Sequence, residues 1–356
     1  MEKYEILVLN LGSSSTKVAY YVNENRVAGE NIAHAAGELK KYGSIWEQAD
    51  MRQKAIEEFM GKHCINRGSL DAVISRGGHT RPITGGTYLI NDVMLKESAS
   101  GIFGNHACDL GLVIATKLAE GGARPLTAFT PVTDEFGPLA RYSGLPEIER
   151  RSSFHALNHK GAAHQYATDA GRPYEDLDLI VVHMGGGISV AAHQKGRMID
   201  ANNALAGDGP FSTNRSGGLP VGSLIEECFS GRFTEKEMLL RVNGNGGMMA
   251  YVGDNDTLTV EKRAEAGDEK CAEVLEAMAY QTAKEIGACA AVLKGRVDAI
   301  VLTGGMSNSR RLTGFIKERV SFIAPVAVYP GEFEMESLAR NAYEVLSGKQ
   351  KLLAIE

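Results

Sequence analysis

The sequence predicts an α/β protein with two domains. The chain has 356 residues, which is long for a single hydrophobic core. Two similar units, each a strand, a glycine-containing turn and a returning strand, begin at residues 6 and 179. Short apolar strands and amphipathic helices follow each unit, as in open α/β sheets. We therefore expect two halves built on a similar plan.

The first unit runs from Ile6 to Val22 around a small polar turn. This turn combines Gly12, three serines and Lys17. Glycine lets the backbone approach a ligand closely, hydroxyl and amide groups donate hydrogen bonds, and lysine adds positive charge. These groups predict a phosphate-binding turn. A plain β-hairpin with a serine-rich tip is the alternative.

The other elements of the first half are predicted from hydrophobic periodicity and from local end signals. Ser44 is placed to cap a helix, and Glu47 stands at the capping-box position. In chain order we expect a strand at 26–34, a helix at 44–64, a strand at 71–75, helices at 91–99 and 107–119, and a strand at 126–129.

Charged groups follow two of these strands. The strand at 71–75 runs into Arg76, two glycines and Arg81. Open α/β sheets bind ligands at such strand ends, so we expect an anion site there, and a loop with solvated charges is the alternative. The strand at 126–129 leads into a polar loop that carries Asp134 and Glu135.

The second half opens with a helix that carries His155, His159 and His164. The first two have the i,i+4 spacing of a metal pair, but no glutamate lies between them and no nearby Cys or Asp completes a zinc site. A single functional histidine at the start of the helix is the better interpretation, because histidine can carry charge towards an anionic ligand.

The second strand-turn-strand unit contains His183 and the glycine run Gly185 to Gly187. A long polar loop at 202–222 then carries Arg215, and loops of this kind are usually functional. The remaining expected elements are helices at 221–230, 234–242, 257–266 and 268–294, a strand at 298–303, a helix from Ser307 or Asn308 after Gly304 and Gly305, a strand at 323–329, and a helix at 335–346.

Composition and missing motifs exclude several classes of protein. The net charge of −6 argues against nucleic acid or an acidic membrane as the main partner, and no apolar run reaches the length of a membrane span. Five scattered cysteines and a charged start without a signal peptide predict a cytoplasmic protein. The patterns of P-loop NTPases, dinucleotide oxidoreductases, α/β-hydrolases and zinc peptidases are all absent.

Two segments carry a family resemblance, Asn10 to Lys17 and Leu179 to Gly196. Because of these two segments, the chain resembles the acetokinase family, within the larger group of acetate and sugar kinases, heat-shock ATPases and actin. The likeness runs essentially end to end. Further segments resemble the branch of the family that acts on butanoate: 154–158, 202–205, 207–211 and 320–326.

The resemblance implies an α/β fold of two duplicated actin-like ATPase domains, with RNase H-like mixed sheets and flanking helices around a central cleft. The N-terminal domain would be residues 1–153, completed by the C-terminal helix at about 335–356, and the nucleotide-binding domain would be 154–334. The implied reaction is reversible phosphoryl transfer between ATP and a short-chain fatty acid, with Mg²⁺ as cofactor and a homodimer or larger homo-oligomer as the assembly.

The resemblance also assigns site residues by position. Arg76, His155 and Arg215 would be catalytic, and Asn10 and Glu334 would lie at the metal. The groups expected to bind ATP are Asn10, Ser13, Ser15, Lys17, His183, Gly185, Gly186, Gly187, Gly304 and Gly305.

The chain departs from the family pattern at three positions. The family's metal-linked glutamate near the C-terminus falls in a loop here, and Glu334 is the nearest match. Gly186 stands where acetate kinases have asparagine, which favours the butanoate branch. Thr130 stands where that branch usually has an active-site aspartate, so Asp134 is the expected catalytic substitute. Isobutyrate, propionate or acetate remain alternative substrates. The alternatives from other classes are a nucleotide-switched binding protein of the heat-shock type and an actin-like filament subunit.

Overall fold

The computed structural model describes residues 2–356, which form two compact units. Unit 1 consists of the residues up to Asp134 together with Phe333–Glu356, and unit 2 is Glu135–Glu332. Each unit contains one mixed β-sheet with helices packed on it, so the predicted α/β class with two mixed sheets is confirmed.

Unit 1 is built on a six-stranded sheet of order β3-β2-β1-β4-β6-β5. The central strand β1 is apolar and buried after its first residue. Its strands are β1 (Glu5–Leu11), β2 (Ser15–Val22), β3 (Asn25–Ala33), β4 (Ala72–Ser75), β5 (Thr87–Leu89) and β6 (Arg124–Ala128). Its helices are α1 (Ala36–Leu39), α2 (Ala49–Lys62), α3 (Asp92–Ser100), α4 (Leu110–Ala119) and, from the end of the chain, α12 (Glu334–Leu346).

Unit 2 is built on a five-stranded sheet of order β11-β10-β7-β8-β9, and its central strand β7 is buried along its whole length. Its strands are β7 (Asp178–Met184), β8 (Ile188–Gln194), β9 (Arg197–Ala201), β10 (Ala299–Gly304) and β11 (Val326–Pro330). Its helices are α5 (Ala156–Asp169), α6 (Val221–Phe229), α7 (Glu235–Val242), α8 (Gly247–Val252), α9 (Thr257–Glu265), α10 (Glu269–Val292) and α11 (Arg310–Val320).

The two sheets share one topology. The order β3-β2-β1-β4-β6 in unit 1 recurs as β9-β8-β7-β10-β11 in unit 2. In both, the first two pairings are antiparallel and the next two are parallel. The first strand of each unit therefore ends at a turn that lies on the same edge as the ends of its parallel neighbours.

The boundary between the two units follows residue 134, earlier than the domain boundary predicted at residue 153. Residues that follow Asp134 make their contacts in unit 2, since the carboxylate of Glu135 pairs with Lys160 at 2.9 Å and Arg150 pairs with Asp200 at 3.0 Å. Helix α12, predicted to begin at about residue 335, lies in unit 1 against β1 and β4.

Three helix starts differ from the prediction. Helix α4 begins at Leu110 and not at residue 107, because residues 107–109 form a 3₁₀ turn first. Helix α2 begins at Ala49 after a 3₁₀ turn at Trp46–Gln48, and Glu47 accepts hydrogen bonds from the amide of Gly43 and the hydroxyl of Ser44. Ser44 is therefore not the cap of α2. Helix α11 begins only at Arg310, because residues 305–308 form a 3₁₀ turn first. No helix within residues 2–356 combines the length and the apolar character needed to cross a bilayer.

Candidate active site

In unit 1, the turn after β1 brings several predicted residues together. Asn10 pairs with Lys17 across the β1–β2 ladder, so both lie beside the turn. The amide of Gly12 donates to the carbonyl of Ser15 at 2.8 Å and closes the turn. Ser13, at the exposed tip, has its hydroxyl 3.1 Å from Nε2 of His106.

Arg76 and Glu334 lie at the same edge of the sheet as Asn10. Arg76 follows β4, which runs parallel to β1, and Glu334 is the first residue of α12. Oε2 of Glu334 accepts a hydrogen bond from the side-chain nitrogen Nδ2 of Asn10 at 2.6 Å and another from Nη1 of Arg76 at 3.2 Å. The Glu334 side chain is only 6% exposed. Residues far apart in the sequence thus form one buried polar cluster.

The donor chemistry of this cluster fits Mg²⁺. Glu334 offers a carboxylate and Asn10 an amide oxygen, and hard oxygen donors are what Mg²⁺ prefers. Among residues 2–356, no hydrogen bond to Oε1 of Glu334 is seen, so one carboxylate oxygen remains available. The two residues predicted to lie at the metal can therefore hold the ion together.

A second cluster in unit 1 has a different explanation. Ligand atoms of His79, Cys108 and Asp109 lie within 4.8 Å of one another. However, the two oxygens of Asp109 already accept bonds from the backbone N–H groups of His79 and His106, at 3.0 and 2.8 Å. Burial raises the pKa of the Cys108 thiol to about 12. His106 and Asp109 form the capping box of the 3₁₀ turn Ala107–Asp109, which leads into α4, and His106 also lies beside Ser13.

Asp134 and Thr130 lie at the end of unit 1. The amide of Asp134 donates to the carbonyl of Ile83 at 2.8 Å. Thr130, at the position where the family branch carries aspartate, is fully buried, and its hydroxyl makes no hydrogen bond with any described residue.

In unit 2, His155 and His183 are stacked on each other. Their ring centroids are 3.9 Å apart and the planes differ by 15°. Nδ1 of His155 lies 2.9 Å from the hydroxyl of Ser189, and Nδ1 of His183 lies 2.7 Å from the side-chain nitrogen Nδ2 of Asn158. Ser189 and Asn158 had no predicted role. Asn158 shares the segment 154–158 with His155, and Ser189 shares the segment Leu179 to Gly196 with His183, which is the signal that could have found them.

Behind this pair lies a buried network of neutral imidazoles. Nε2 of His159 is 2.8 Å from the hydroxyl of Ser189, so His155 and His159 share a hydroxyl group. His193 lies between His159 and the hydroxyl of Tyr174, at 3.4 and 2.8 Å. Burial, with smaller contributions from neighbouring positive groups, holds the pKa values of His159 and His193 well below the usual value.

Arg215 lies against the glycine turn of unit 2. Its Nη1 donates to the carbonyl of Ala204 at 2.5 Å, while Nε is buried without a hydrogen-bond partner. Burial lowers the pKa of Arg215. A Cβ on Gly187 would overlap Nη1 of Arg215 and lie 2.8 Å from the oxygen of Ala204, whereas Gly186 faces open space. At position 187, therefore, only glycine leaves room for the Arg215 guanidinium.

Gly304 ends β10 beside the same turn. Its φ is +89°, and a Cβ there would overlap the carbonyl oxygen of Met184, the last residue of β7. Gly305 begins the following 3₁₀ turn and has open space at its Cβ position. These glycines let the ends of β7 and β10 approach closely.

A separate cavity of about 720 Å³ in unit 2, beside α6 and α7, is lined by none of the predicted site residues.

Comparisons with known proteins agree with the family resemblance. The model of the acetokinase family matches residues 145–325. A relative named butyrate kinase 2, from Clostridium acetobutylicum, is 47% identical over 350 residues, which cover 98% of each chain.

Solved structures show the same fold. The acetate kinase of Porphyromonas gingivalis superposes with a TM-score of 0.78 at 19% identity, covering 96% of this chain and 100% of that one. A propionate kinase from Francisella tularensis gives a TM-score of 0.75 at 18% identity, over 95% and 98% of the two chains. The acetate kinase of Entamoeba histolytica gives 0.76 at 18% identity, over 94% and 97%.

Proposed function

The chain belongs to the acetokinase family and is a short-chain fatty acid kinase, and we propose that it transfers a phosphoryl group reversibly between ATP and butanoate. The observation that carries the choice of butanoate is the 47% identity to butyrate kinase 2 over 98% of both chains. ATP or ADP and Mg²⁺ are the proposed cofactors. A cytoplasmic location stays a prediction, and so does a homodimer or larger homo-oligomer.

Unit 1 supplies the proposed phosphate and metal groups. We assign the polyphosphate to the turn after β1, where Ser13, Ser15 and Lys17 offer hydrogen bonds and positive charge. Asn10 and Glu334 would hold Mg²⁺ through oxygen atoms. The ion, when bound, would neutralise charge on the phosphate oxygens.

The acceptor carboxylate needs charge neutralisation and positioning. Carboxyl groups have pKa values near ~4, so butanoate is ionised at about pH 7 and needs no general base. A carboxylate and a phosphate repel each other, and phosphoryl transfer is accelerated chiefly by in-line positioning and by cations around the equatorial oxygens. Arg76 and Arg215 are the proposed cations. Arg76 is fixed by Glu334, and Arg215 by the carbonyl of Ala204.

Unit 2 supplies the proposed nucleotide turns and His155. Ser189 and the stacked ring of His183 fix the orientation of His155, which supports a role in stabilising charge on the transferred group. We propose that the nucleotide lies close to the backbone at Gly185 to Gly187 and at Gly304 and Gly305. Asp134 stays a proposal as the remaining catalytic carboxylate.

The proposal is tested by trapping the acyl phosphate as a hydroxamate. The purified chain is given ATP, Mg²⁺ and one acid at a time, from acetate to isovalerate. We expect the highest kcat/KM with butanoate and lower values with propionate and isobutyrate, because one methylene is worth roughly 1–3 kcal/mol in an apolar pocket. A reaction without ATP is the blank. A higher kcat/KM with acetate would contradict the choice of butanoate, and no product with any acid would contradict the kinase activity.

A further inference from the structure

Arg52, in the first turn of α2, is a buried cation without an acidic partner. Its side chain is 0% exposed. Within the described residues 2–356, Arg52 takes part in no ion pair, although it donates six hydrogen bonds to five neutral oxygens. Burying a charge is costly unless it is paired and hydrogen-bonded, so such a residue needs a specific reason to be kept.

The contacts of Arg52 are concentrated on the turn after β1. Nη1 donates to the carbonyls of Gly12 and Ser15, both at 3.0 Å, and Nη2 donates to the carbonyl of Ser13 at 3.2 Å. Oε1 of Gln48 accepts from Nε at 3.2 Å and from Nη2 at 3.0 Å. The planar guanidinium is thereby fixed, and it fixes three carbonyls of the turn.

This arrangement determines where the amides of the turn point. In a trans peptide the C=O and N–H groups point in opposite directions. Because the carbonyls of Gly12 and Ser13 point to Arg52, the N–H groups of Ser13 and Ser14 point away from it. Neither amide makes a hydrogen bond with any residue from 2 to 356, and both serines are exposed. Two adjacent amides with no partner make a ready site for an anion.

The charge of Arg52 is not cancelled by its other neighbours. The hydroxyl of Thr16 accepts from Nη1 at 3.2 Å and lies 2.9 Å from Nε2 of His34. Burial and the nearby Arg52 both lower the pKa of His34, and an imidazole carries no negative charge that could offset Arg52. A positive charge thus lies directly behind the turn, in a place where water does not screen it.

We propose that Arg52 is a positioning residue for polyphosphate binding: it holds the carbonyls of the turn so that the amides of Ser13 and Ser14 face the phosphate, and it supplies a buried positive charge that the phosphate neutralises. It does not touch the ligand. This inference rests on the proposed function in placing the phosphates at this turn, and it adds a residue from a helix for which no role in binding was predicted.

The test compares Arg52→Met and Arg52→Lys with a matched control, Arg67→Met. Arg67 also donates to backbone carbonyls of unit 1, those of Leu118 and Lys117, but it precedes β4 and so lies at the opposite edge of the sheet. The Kd of inorganic pyrophosphate is measured by calorimetry, KM is measured for ATP and for butanoate, and Tm is measured for each variant.

We expect Arg52→Met to raise the Kd of pyrophosphate and the KM for ATP by about tenfold or more, because the buried positive charge and the hydrogen bonds that hold the turn carbonyls are both lost. The KM for butanoate should change by less than about twofold, since the carboxylate site is untouched. Arg52→Lys keeps the positive charge but loses the planar guanidinium with its several N–H donors. We therefore expect both the Kd of pyrophosphate and the KM for ATP to rise by about threefold. Arg67→Met should leave all three constants unchanged, even if its Tm falls.

The proposal is overturned if folded Arg52→Met binds pyrophosphate and ATP like the wild type, or if Arg67→Met weakens binding equally. Should Arg52→Met fail to fold, a folded Arg52→Lys with unchanged Kd and KM also overturns it. If the wild type forms no acyl phosphate, the proposed function fails. The pyrophosphate measurement still tests Arg52 in that case, so the two failures are distinguishable.

Discussion

The two glycine turns have the same topology and different electrostatic support. The turn of unit 1 follows β1 and is held from behind by the guanidinium of Arg52, a fixed positive charge. The turn of unit 2 follows β7 and is flanked by histidines, of which the buried His159 is neutral because burial depresses its pKa. The positive charge of unit 2 comes instead from Arg215, which is hydrogen-bonded within the loop that follows β9.

This contrast shows that a shared strand order does not fix the chemistry of a site. Strand pairing is set by backbone hydrogen bonds and by apolar side chains, which the two sheets share. The charge beside each turn depends on single side chains delivered by other elements, here α2 in unit 1 and the loop before α6 in unit 2. The experiments below test whether the two turns differ as these contacts indicate.

The largest expected effects come from the two proposed catalytic arginines. Arg76→Ala in unit 1 and Arg215→Ala in unit 2 should each lower kcat by about a hundredfold, because each removes a cation from the developing charge. The measurement is steady-state kinetics at saturating ATP and butanoate. As a control, Arg319→Ala removes an arginine of similar exposure that pairs with Glu276, and it should retain kcat.

The same two variants should differ in stability. Arg76→Ala leaves the buried carboxylate of Glu334 without its cation, at a cost of roughly 1–3 kcal/mol in the free energy of unfolding. Arg215→Ala removes a cation that has no carboxylate within ion-pair distance among the described residues, so it should cost less. Normal kcat in either folded variant would contradict its assigned role.

A smaller effect is expected at the glycine turn of unit 2. Gly187→Ala puts a Cβ into the space of Arg215 and close to the carbonyl of Ala204, so kcat should fall by about tenfold and stability by roughly 1–3 kcal/mol. Gly186→Ala is the matched control, since its Cβ would meet nothing within 4 Å. Kinetics and urea unfolding of the pair are the measurements. Equal behaviour of the two variants would show that Arg215 does not depend on the turn.

The smallest effect concerns pH. The pKa values of His159 and His193 are lower in the folded protein than in the unfolded chain, where they are near 6.5. Above that pH neither state is protonated and the stabilisation is complete. As the pH falls below it, the unfolded chain takes up protons that the folded protein does not, so the free energy of unfolding decreases, by at most about 1.4 kcal/mol per pH unit for each group.

Urea unfolding between about pH 5 and pH 7.5 measures this slope. His193→Asn removes one titrating group of unit 2 and should make the slope shallower. His63→Asn, at an exposed position of unit 1 just after α2, should leave it unchanged. A slope that is the same in wild type and His193→Asn would show that His193 does not contribute to the acid sensitivity.

The sequence by itself determined the class of fold and the two turns. Continuous apolar runs predict strands that are buried on both faces, and β1 and β7 are such strands. Glycines directly after them, Gly12 and Gly185 to Gly187, predict the turns, because local residues determine local backbone geometry. The signature segments at Asn10 to Lys17 and Leu179 to Gly196 also gave the family, which the comparisons confirm.

Only the tertiary structure decided which side chains meet. Glu334 lies 324 residues from Asn10 and 258 from Arg76, yet one carboxylate oxygen bonds both. Arg52 belongs to a helix whose pattern places charged residues at the surface, and its burial follows from the position of α2 over the turn. Such contacts depend on how distant elements pack together, and no local pattern of apolar or turn residues encodes that packing. The sequence could therefore locate the proposed phosphate turn, but only the fold identified the cation behind it.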